Sequence, residues 1–500
     1  MARSPGITCV FFLALTLLAC EGVPPAAPSE PSTDEAPAVE HPPPPREDLP
    51  SPGPWSGPGR AGRVQQAWRV KGTGMDIVQA TAWTPDGDLL VLSRSTGGRI
   101  DGSAILSLIK YSPAGRVRWS RELRHESQSR GMGYYDVKNL MAVDARGSII
   151  LAGLERGETY LGLETWVRDA YVAKLDVNGL PVWTRSFATG DDPGLGLQAL
   201  AVDASGAIVL GGLVAGPVDV GGQRLTREDK AFVIRYTPDG TLDWVRTVSP
   251  EPRTHPGPQA RVQALAVDGE GHIIAAGSYT GKLLPGGATA SGMVGAPFLL
   301  RWDARGALTW GRDFEGQTGE LFSVGATPEG HVAAVGRFQG TLTWGGKHLV
   351  EDTPGAWGSF LVVGDARGQA VAARSLRAAN VSTLTVDPRG RIYLGGHGPA
   401  DADLGGGPMM DSPRTQLFLA RYSLSAEHAW SRTFPHPSQP LPGDIGDRYL
   451  RTLSIQPGRK LVAGGCIQMP TDFDGTVIAP EPVPGMPLPP PDGYLLHLEP

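Results

Sequence analysis

The chain has 500 residues, among them 68 Gly and 46 Pro, with a formal net charge of −6 and an isoelectric point near 6.0. So much Gly and Pro interrupts long helices. An acidic balance with no Lys/Arg-dense run excludes the basic face that sequence-blind nucleic-acid binding requires. Hydrophobic residues make up 40% of the chain, enough for a core if they recur with a period.

Residues 1–6 hold one Arg and no acid, and residues 7–19 (ITCVFFLALTLLA) are almost wholly apolar. That is the charged leader and short apolar run of a signal peptide, too short to span a bilayer. The run ends in Leu17-Leu18-Ala19-Cys20, which resembles a bacterial lipobox. The resemblance implies cleavage before Cys20 and diacylation of its thiol, so that acyl chains hold the protein on a membrane. The alternative is an ordinary secretory peptide cut nearby. Glu21, not Asp, follows the cysteine. In the familiar Gram-negative sorting pattern this implies the outer membrane or cell surface, with the folded part in the periplasm or outside.

Residues 20–61 follow as a stalk. Positions 21–61 carry 13 prolines and few large apolar side chains, a composition that prefers extended polyproline II over a packed core.

Everything after residue 61 is one pattern written seven times. Its first half is an apolar run, a turn with Gly, and a second apolar run. The copies begin at 80–87 (ATAWTPDG), 140–147 (LMAVDARG), 200–206 (LAVDASG), 265–271 (LAVDGEG), 324–330 (VGATPEG), 384–390 (LTVDPRG) and 453–458 (LSIQPG), a period of about 60 residues. The second half is another hairpin, as in 170–185 (AYVAKLDVNGLPVWTR) and 231–246 (AFVIRYTPDGTLDWVR). It carries a Trp-x-Arg at Trp119/Arg121, Trp183/Arg185, Trp244/Arg246, Trp310/Arg312 and Trp430/Arg432; in the fifth copy Ala372 replaces Trp and Arg374 remains.

Each copy therefore predicts four antiparallel strands, A to D, joined by tight turns within A–B and C–D and by a longer B–C loop. Four such strands make one propeller blade. The seventh copy stops at strand C, 493–500 (GYLLHLEP), and an unassigned strand precedes the first copy at 62–71 (GRVQQAWRVK). That strand is expected to supply strand D of the last blade, with Trp68 at the Trp position and Val70 at the Arg position. Closure leaves no open sheet edge. The expectation is an all-β, seven-bladed β-propeller over 62–500, behind a signal peptide (1–19) and a stalk (20–61).

The run 201–212 (AVDASGAIVLGG), the Gly-Gly loops at 219–222 (DVGG) and 343–346 (TWGG), and the run 232–236 (FVIRY) resemble the bacterial SBBP-type and delta-60-type propeller repeats of secreted proteins, notably of myxobacteria. The resemblance spans roughly 62–500. It implies the fold and is nearly silent on activity.

The recurring residues read as architecture. Period two places Leu242, Trp244, Arg246 and Val248 on one face of strand D, where the Trp is expected as packing between blades and not as a ligand ladder. Asp144, Asp203, Asp268 and Asp387 each precede a turn Gly by three. A Ca²⁺ loop needs more oxygen ligands than these turns offer, so Asx-type turn stabilisation is expected. His272 and His331 follow turn glycines and are expected to be exposed. Cys466, the only Cys beyond Cys9 and Cys20, is expected as a buried apolar residue. Gly194-x-Gly196-x-x-Ala199 mimics a dinucleotide fingerprint but precedes a strand. Asp191-Asp192, Glu228-Asp229 and Asp472/Asp474 read as solvated loop charge.

With no catalytic, cofactor or metal constellation in view, the expected function is a non-catalytic cell-envelope lipoprotein presenting a propeller as a binding or scaffold surface. Its expected ligand is a protein or glycan taken through the B–C loops at 97–103, 155–169, 213–230 and 280–296. A monomer with no nucleic-acid partner is expected. The alternatives are a lyase- or hydrolase-like enzyme with its site at the channel mouth, and an envelope-assembly factor.

Overall fold

The structure is a computed structural model. It describes residues 61–500 except 71–74, 96–103, 128–138, 188–194, 215, 252–258, 284–288, 291–294, 352, 354, 400–401, 410–414, 436–447, 457–459 and 482–488. The signal peptide, Cys20 and the stalk up to residue 60, together with Asp191, Asp192, Gly194, Gly458 and loop 97–103, lie outside the described residues.

The chain is a seven-bladed β-propeller. Blade 3 shows the plan: strand A (Leu195–Val202), B (Ile208–Val214), C (Ala231–Tyr236) and D (Leu242–Val248) pair in that order, all antiparallel. The seven A strands pack on one another in ring order, each against the A strand of the blades before and after, so they line the axis and the D strands face outward.

The repeated motif explains this packing. Ala199 and Ala201 face blade 4, whereas Leu197, Leu200 and Val202 face blade 2. Small residues on one side of the strand receive the large ones of the next blade, which gives the close packing of a protein interior. In six blades strand A also carries a β-bulge, in blade 3 at Gln198. Beside it a Cβ on Gly212 would lie only 1.9 Å from the Gly196 carbonyl oxygen, and the same clash recurs at Gly277, Gly336, Gly396 and Gly465. Only glycine admits that approach. The A–B turn follows: Gly206 has φ +86°, and Asp203 Oδ1 accepts from the backbone N of Ser205 and Ala207 at 2.9 Å each.

The closing strand is Val64–Val70, paired antiparallel to strand C of blade 7, Asp492–Leu498. The expected closure is therefore present, but its register differs from the one read above. In blades 1 to 4 and 6 the Trp of strand D lies opposite the penultimate residue of strand C, as Trp244 opposite Arg235. In blade 7 that partner, His497, faces Gln66, and Trp68 faces Leu495. Gln66 thus holds the Trp position and Trp68 the Arg position.

Strand D itself also departs from the strict alternation expected of it. The pairing slips between Tyr236↔Leu242 and Arg235↔Trp244. This bulge turns Leu242 away from Trp244: Leu242 packs with the blade 2–3 core, Trp244 and Val248 with the blade 3–4 core.

Among the described residues, the B–C connections of blades 3, 5 and 7 act as packing wedges. In blade 3, Val218, Val220 and Leu225 of the hairpin Val218–Val220/Gln223–Leu225 are buried. In blade 5, Trp344 stacks on Phe314 at 5.7 Å; in blade 7, Phe473 sits between Phe434 and Tyr494 at 5.3 and 5.1 Å. In blade 2 the connection also pairs with the lengthened strand D of blade 1, Val117–Ser127, fusing two blades into one sheet; its Leu161 and Val167 are buried while Leu163 and Trp166 are exposed.

Candidate functional site

Most of the recurring polar residues are occupied by the fold. Asp144, Asp203, Asp268 and Asp387 each accept two turn N–H groups through Oδ1. Their second oxygen takes a cation: Lys174 for Asp144 at 3.0 Å, Arg235 for Asp203 at 2.7 Å, Arg301 for Asp268, and Arg391 for Asp387 at 2.5 Å. His272 is half-buried, with Nδ1 3.1 Å from Asp268 and 2.8 Å from Arg301, so it is a partner in this network and not a free surface imidazole. His331 is half-buried too. Cys466 is fully buried in strand B of blade 7.

The carboxylate pairs are structural where they are described. Asp229 caps its short 3₁₀ turn by accepting from Thr226 N at 2.7 Å. Asp472 Oδ1 accepts from Gly475 N at 2.6 Å. Asp474 joins three parts of the ring closure, accepting from Val64 N at 2.8 Å and from Arg432 Nη1 at 3.0 Å. Gly196 and Ala199 sit within strand A, not at a strand-to-helix turn.

Trp-x-Arg is a clasp between blades. Trp244 lies against Gly306 in the C–D turn of blade 4. Its Nε1 donates to Ala304 O at 3.1 Å, and Arg246 Nε donates to Gly306 O at 2.6 Å. Trp183 and Arg185 repeat this on Pro238 O and Gly240 O at 3.2 and 3.0 Å, and Trp310 and Arg312 on Ala366 O and Gly368 O at 3.1 and 2.9 Å. Each Arg lies 5.4–5.8 Å from its own Trp ring.

Between blades 1 and 2 the clasp is open. Trp119 still lies against Gly179, and Arg121 Nε reaches Asn178 O at 3.2 Å. Among the described residues, however, the Trp119 indole N–H makes no hydrogen bond, a state it shares with the more buried Trp430 at the junction of blades 6 and 7. The strand C cation, which in blades 2 and 4 also reaches the next turn (Lys174 to Pro238 O, Arg301 to Ala366 O), is here drawn back. Lys110 Nζ lies 3.1 Å from Asp86 and 3.4 Å from Asp88. Arg118 Nε lies 3.2 Å from Asp88, whose side chain is almost fully buried. The Thr84 hydroxyl donates to Asp86 and, together with Lys110, holds that carboxyl below the usual range against a small opposing effect of burial.

The result is a cavity of about 480 Å³ lined by these groups, by Arg146 and Gly147 of the blade 2 A–B turn, and by Val177 and Asn178 of its C–D turn. The exposed Arg146 guanidinium has no partner among the described residues. Three cations face two carboxylates, a residual charge of one positive.

Two of these residues are peculiar to blade 1. The position of Asp88 holds Ser148, Ala207, His272, His331, Arg391 and Lys460 in the other blades, and that of Arg118 holds Val182, Asp243, Thr309, Val371 and Ala429. Neither belongs to a motif of the repeat. Departure from the repeat column was the signal that could have found them.

The buried ionisable groups make stability pH-dependent. Burial alone would raise Asp144 and Asp203, but hydrogen bonds, chiefly from Lys174 and from Ser205 and Arg235, leave both below the ordinary 3.8. Burial holds His397, His428 and His497 below the ordinary 6.5. In both sets the unfolded chain takes up protons first as pH falls, so stability is lost on acidification. The urea midpoint is expected to fall first below about pH 6.5, as the histidines of the unfolded chain charge, and again below about pH 4. His397→Gln should flatten the upper step; an upper step of undiminished size would show that His397 does not contribute to it.

No protein-family model and no curated protein matches the chain. Among solved structures it is similar to the Dos1 propeller, at 9% identity over 87% of this chain and 95% of that one, with a TM-score of 0.40. It is also similar to a protein of unknown function from Dyadobacter fermentans, at 11% identity over 88% and 100%, TM-score 0.39. A third is a polysaccharide lyase of family PL25, an ulvan lyase bound to -[GlcA(1-4)Rha3S]-, at 9% identity over 80% and 93%, TM-score 0.42.

Proposed function

We propose that this chain is a non-catalytic binding protein of the bacterial cell envelope, a monomeric propeller of the SBBP or delta-60 type, anchored by acylated Cys20 and displayed on its Pro-rich segment. The groove between blades 1 and 2 is its ligand site. One observation carries the binding reading. Where three junctions are sealed by Trp and Arg bonds to the next turn, this one holds a cavity lined by Asp88 and Arg118, which stand at these positions in no other blade, and among the described residues it leaves the exposed Arg146 guanidinium and the Trp119 indole N–H unpaired. A cavity of about 300–1,000 Å³ with a few convergent polar groups is the usual form of a small-molecule site.

Anchoring is tested by phase partitioning. The wild type should enter the detergent phase and incorporate labelled palmitate, whereas Cys20→Ala should do neither and be recovered in the soluble fraction. Detergent-phase Cys20→Ala protein would refute the anchor and leave the groove untouched.

A further inference from the structure

We infer that the groove between blades 1 and 2 takes an acidic saccharide, a sugar ring bearing a single carboxylate or sulfate. The inference rests on the groove being a binding site and adds the chemistry of what binds there.

The lining selects for this class in three ways. Lys110, Arg118 and Arg146 exceed Asp86 and Asp88 by one charge, which matches one acidic sugar ring seated in the groove, with any further rings of the chain in solvent. Second, polyphosphates do not suit the groove. Asp86 and Asp88 are on the same wall, and a dense anion would meet their repulsion at close range, whereas sugar hydroxyls would find acceptors in them. Third, the groove offers planar donors and acceptors beside an aromatic surface: guanidinium groups on Arg118 and Arg146, the Asn178 amide, and the Trp119 ring with its free N–H. Vicinal hydroxyls and a carboxylate suit such planar groups, and a guanidinium can hold a carboxylate through two parallel hydrogen bonds. Arg118 is committed to Asp88 on one side but remains 56% exposed, and Arg146 is uncommitted. These two are assigned to the acidic group, with the Trp119 N–H directed to a ring oxygen or hydroxyl.

The test uses the propeller with tri-galacturonate as the charged probe, galactotriose as its neutral counterpart and inorganic phosphate as an anion without a ring. Titration calorimetry measures affinity, and hydrogen exchange of 145–147 and 177–179 locates binding. Tri-galacturonate is expected to bind and protect both turns, galactotriose to bind at least about tenfold more weakly, and phosphate not to protect them. Arg146→Gln, an exposed position whose loss leaves the fold intact, should weaken tri-galacturonate about tenfold, the scale of one charge-assisted contact. Trp119→Phe keeps the ring on Gly179 and should weaken it through the lost N–H alone. If galactotriose or phosphate protects the turns as well as tri-galacturonate does, the groove remains a site but the saccharide assignment falls. If no probe protects them, both fall. Tri-galacturonate binding that is unchanged in Arg146→Gln would overturn the role given to that residue and to the groove.

Discussion

A chain beginning at residue 71 is expected to lose most of its thermal stability and to aggregate. Strand Val64–Val70 supplies the outer edge of blade 7, and its removal leaves strand Asp492–Leu498 with an unpaired row of backbone groups, a template for association with other chains. The chemistry beneath is as important as the edge. Asp492 is nearly fully buried and ion-paired to Arg69, which also reaches Glu481 at 3.0 Å. Burial already lifts the Asp492 carboxyl above its ordinary value, against the pull of Arg69. Without Arg69 a buried acid is left unpaired, a change that typically costs about 3–5 kcal/mol. Val70 and the contact of Trp68 with Tyr111 at 6.3 Å are lost as well. Calorimetry and light scattering on the truncated chain provide the measurement, and a peptide of residues 61–71 added in trans should recover part of the midpoint. A truncated chain that melts like the full one would show that the ring does not depend on this strand.

Trp244→Ala should be the most damaging single substitution among the clasps. The side chain is 7% exposed, fills the blade 3–4 seam and donates to Ala304 O. Emptying such a site costs about 3–5 kcal/mol, and Arg246 loses the ring it lies over. Trp244→Phe keeps most of the volume and gives up the N–H···O bond, so it should cost about 1–2 kcal/mol. Chemical denaturation of the two variants separates packing from hydrogen bonding. Equal losses in both would mean that the indole N–H carries the clasp. The fifth blade shows what the ring tolerates: Ala372 stands at the Trp position, and Arg374 alone reaches the next blade, donating to Ala426 O at 2.7 Å.

The repeat made the blades and their closure legible, because a turn Gly about every 60 residues and an orphan strand at each end admit few other arrangements. The register of the closing strand was not legible. In blades 1 to 4 the Trp can be counted four residues on from the C–D turn Gly, as Gly240 to Trp244. In blade 7 that turn is made by two distant stretches of chain, Gly62 N donating to Glu499 O at 2.9 Å, and counting from Gly62 gives Gln66. Trp68 drew the eye because it is a Trp. The strand D bulge at Asp243 likewise has no residue of its own to announce it, so strict alternation misplaced Leu242. The wedges were written in plain alternation, Val218, Val220 and Leu225, but loop length made them look like free surface.

The groove was hidden for a different reason. Asp88, Arg118 and Arg146 belong to no motif along the chain, and only the ring brings Arg146 of one blade beside Lys110 and Arg118 of another.

The closing strand has a mechanical consequence. It is the first described strand of the chain, so any tension arriving from the N-terminal side is delivered to it before any other part of the ring. Val64–Val70 lies antiparallel along Asp492–Leu498 and is pinned at its entry by Asp474. A pull along the strand loads those backbone bonds together, in shear, whereas a pull across it would open them one at a time. Whichever direction applies, the pairing of strands C and D within blade 7 is the one that gives first, and the other six blades keep their own hairpins while it does.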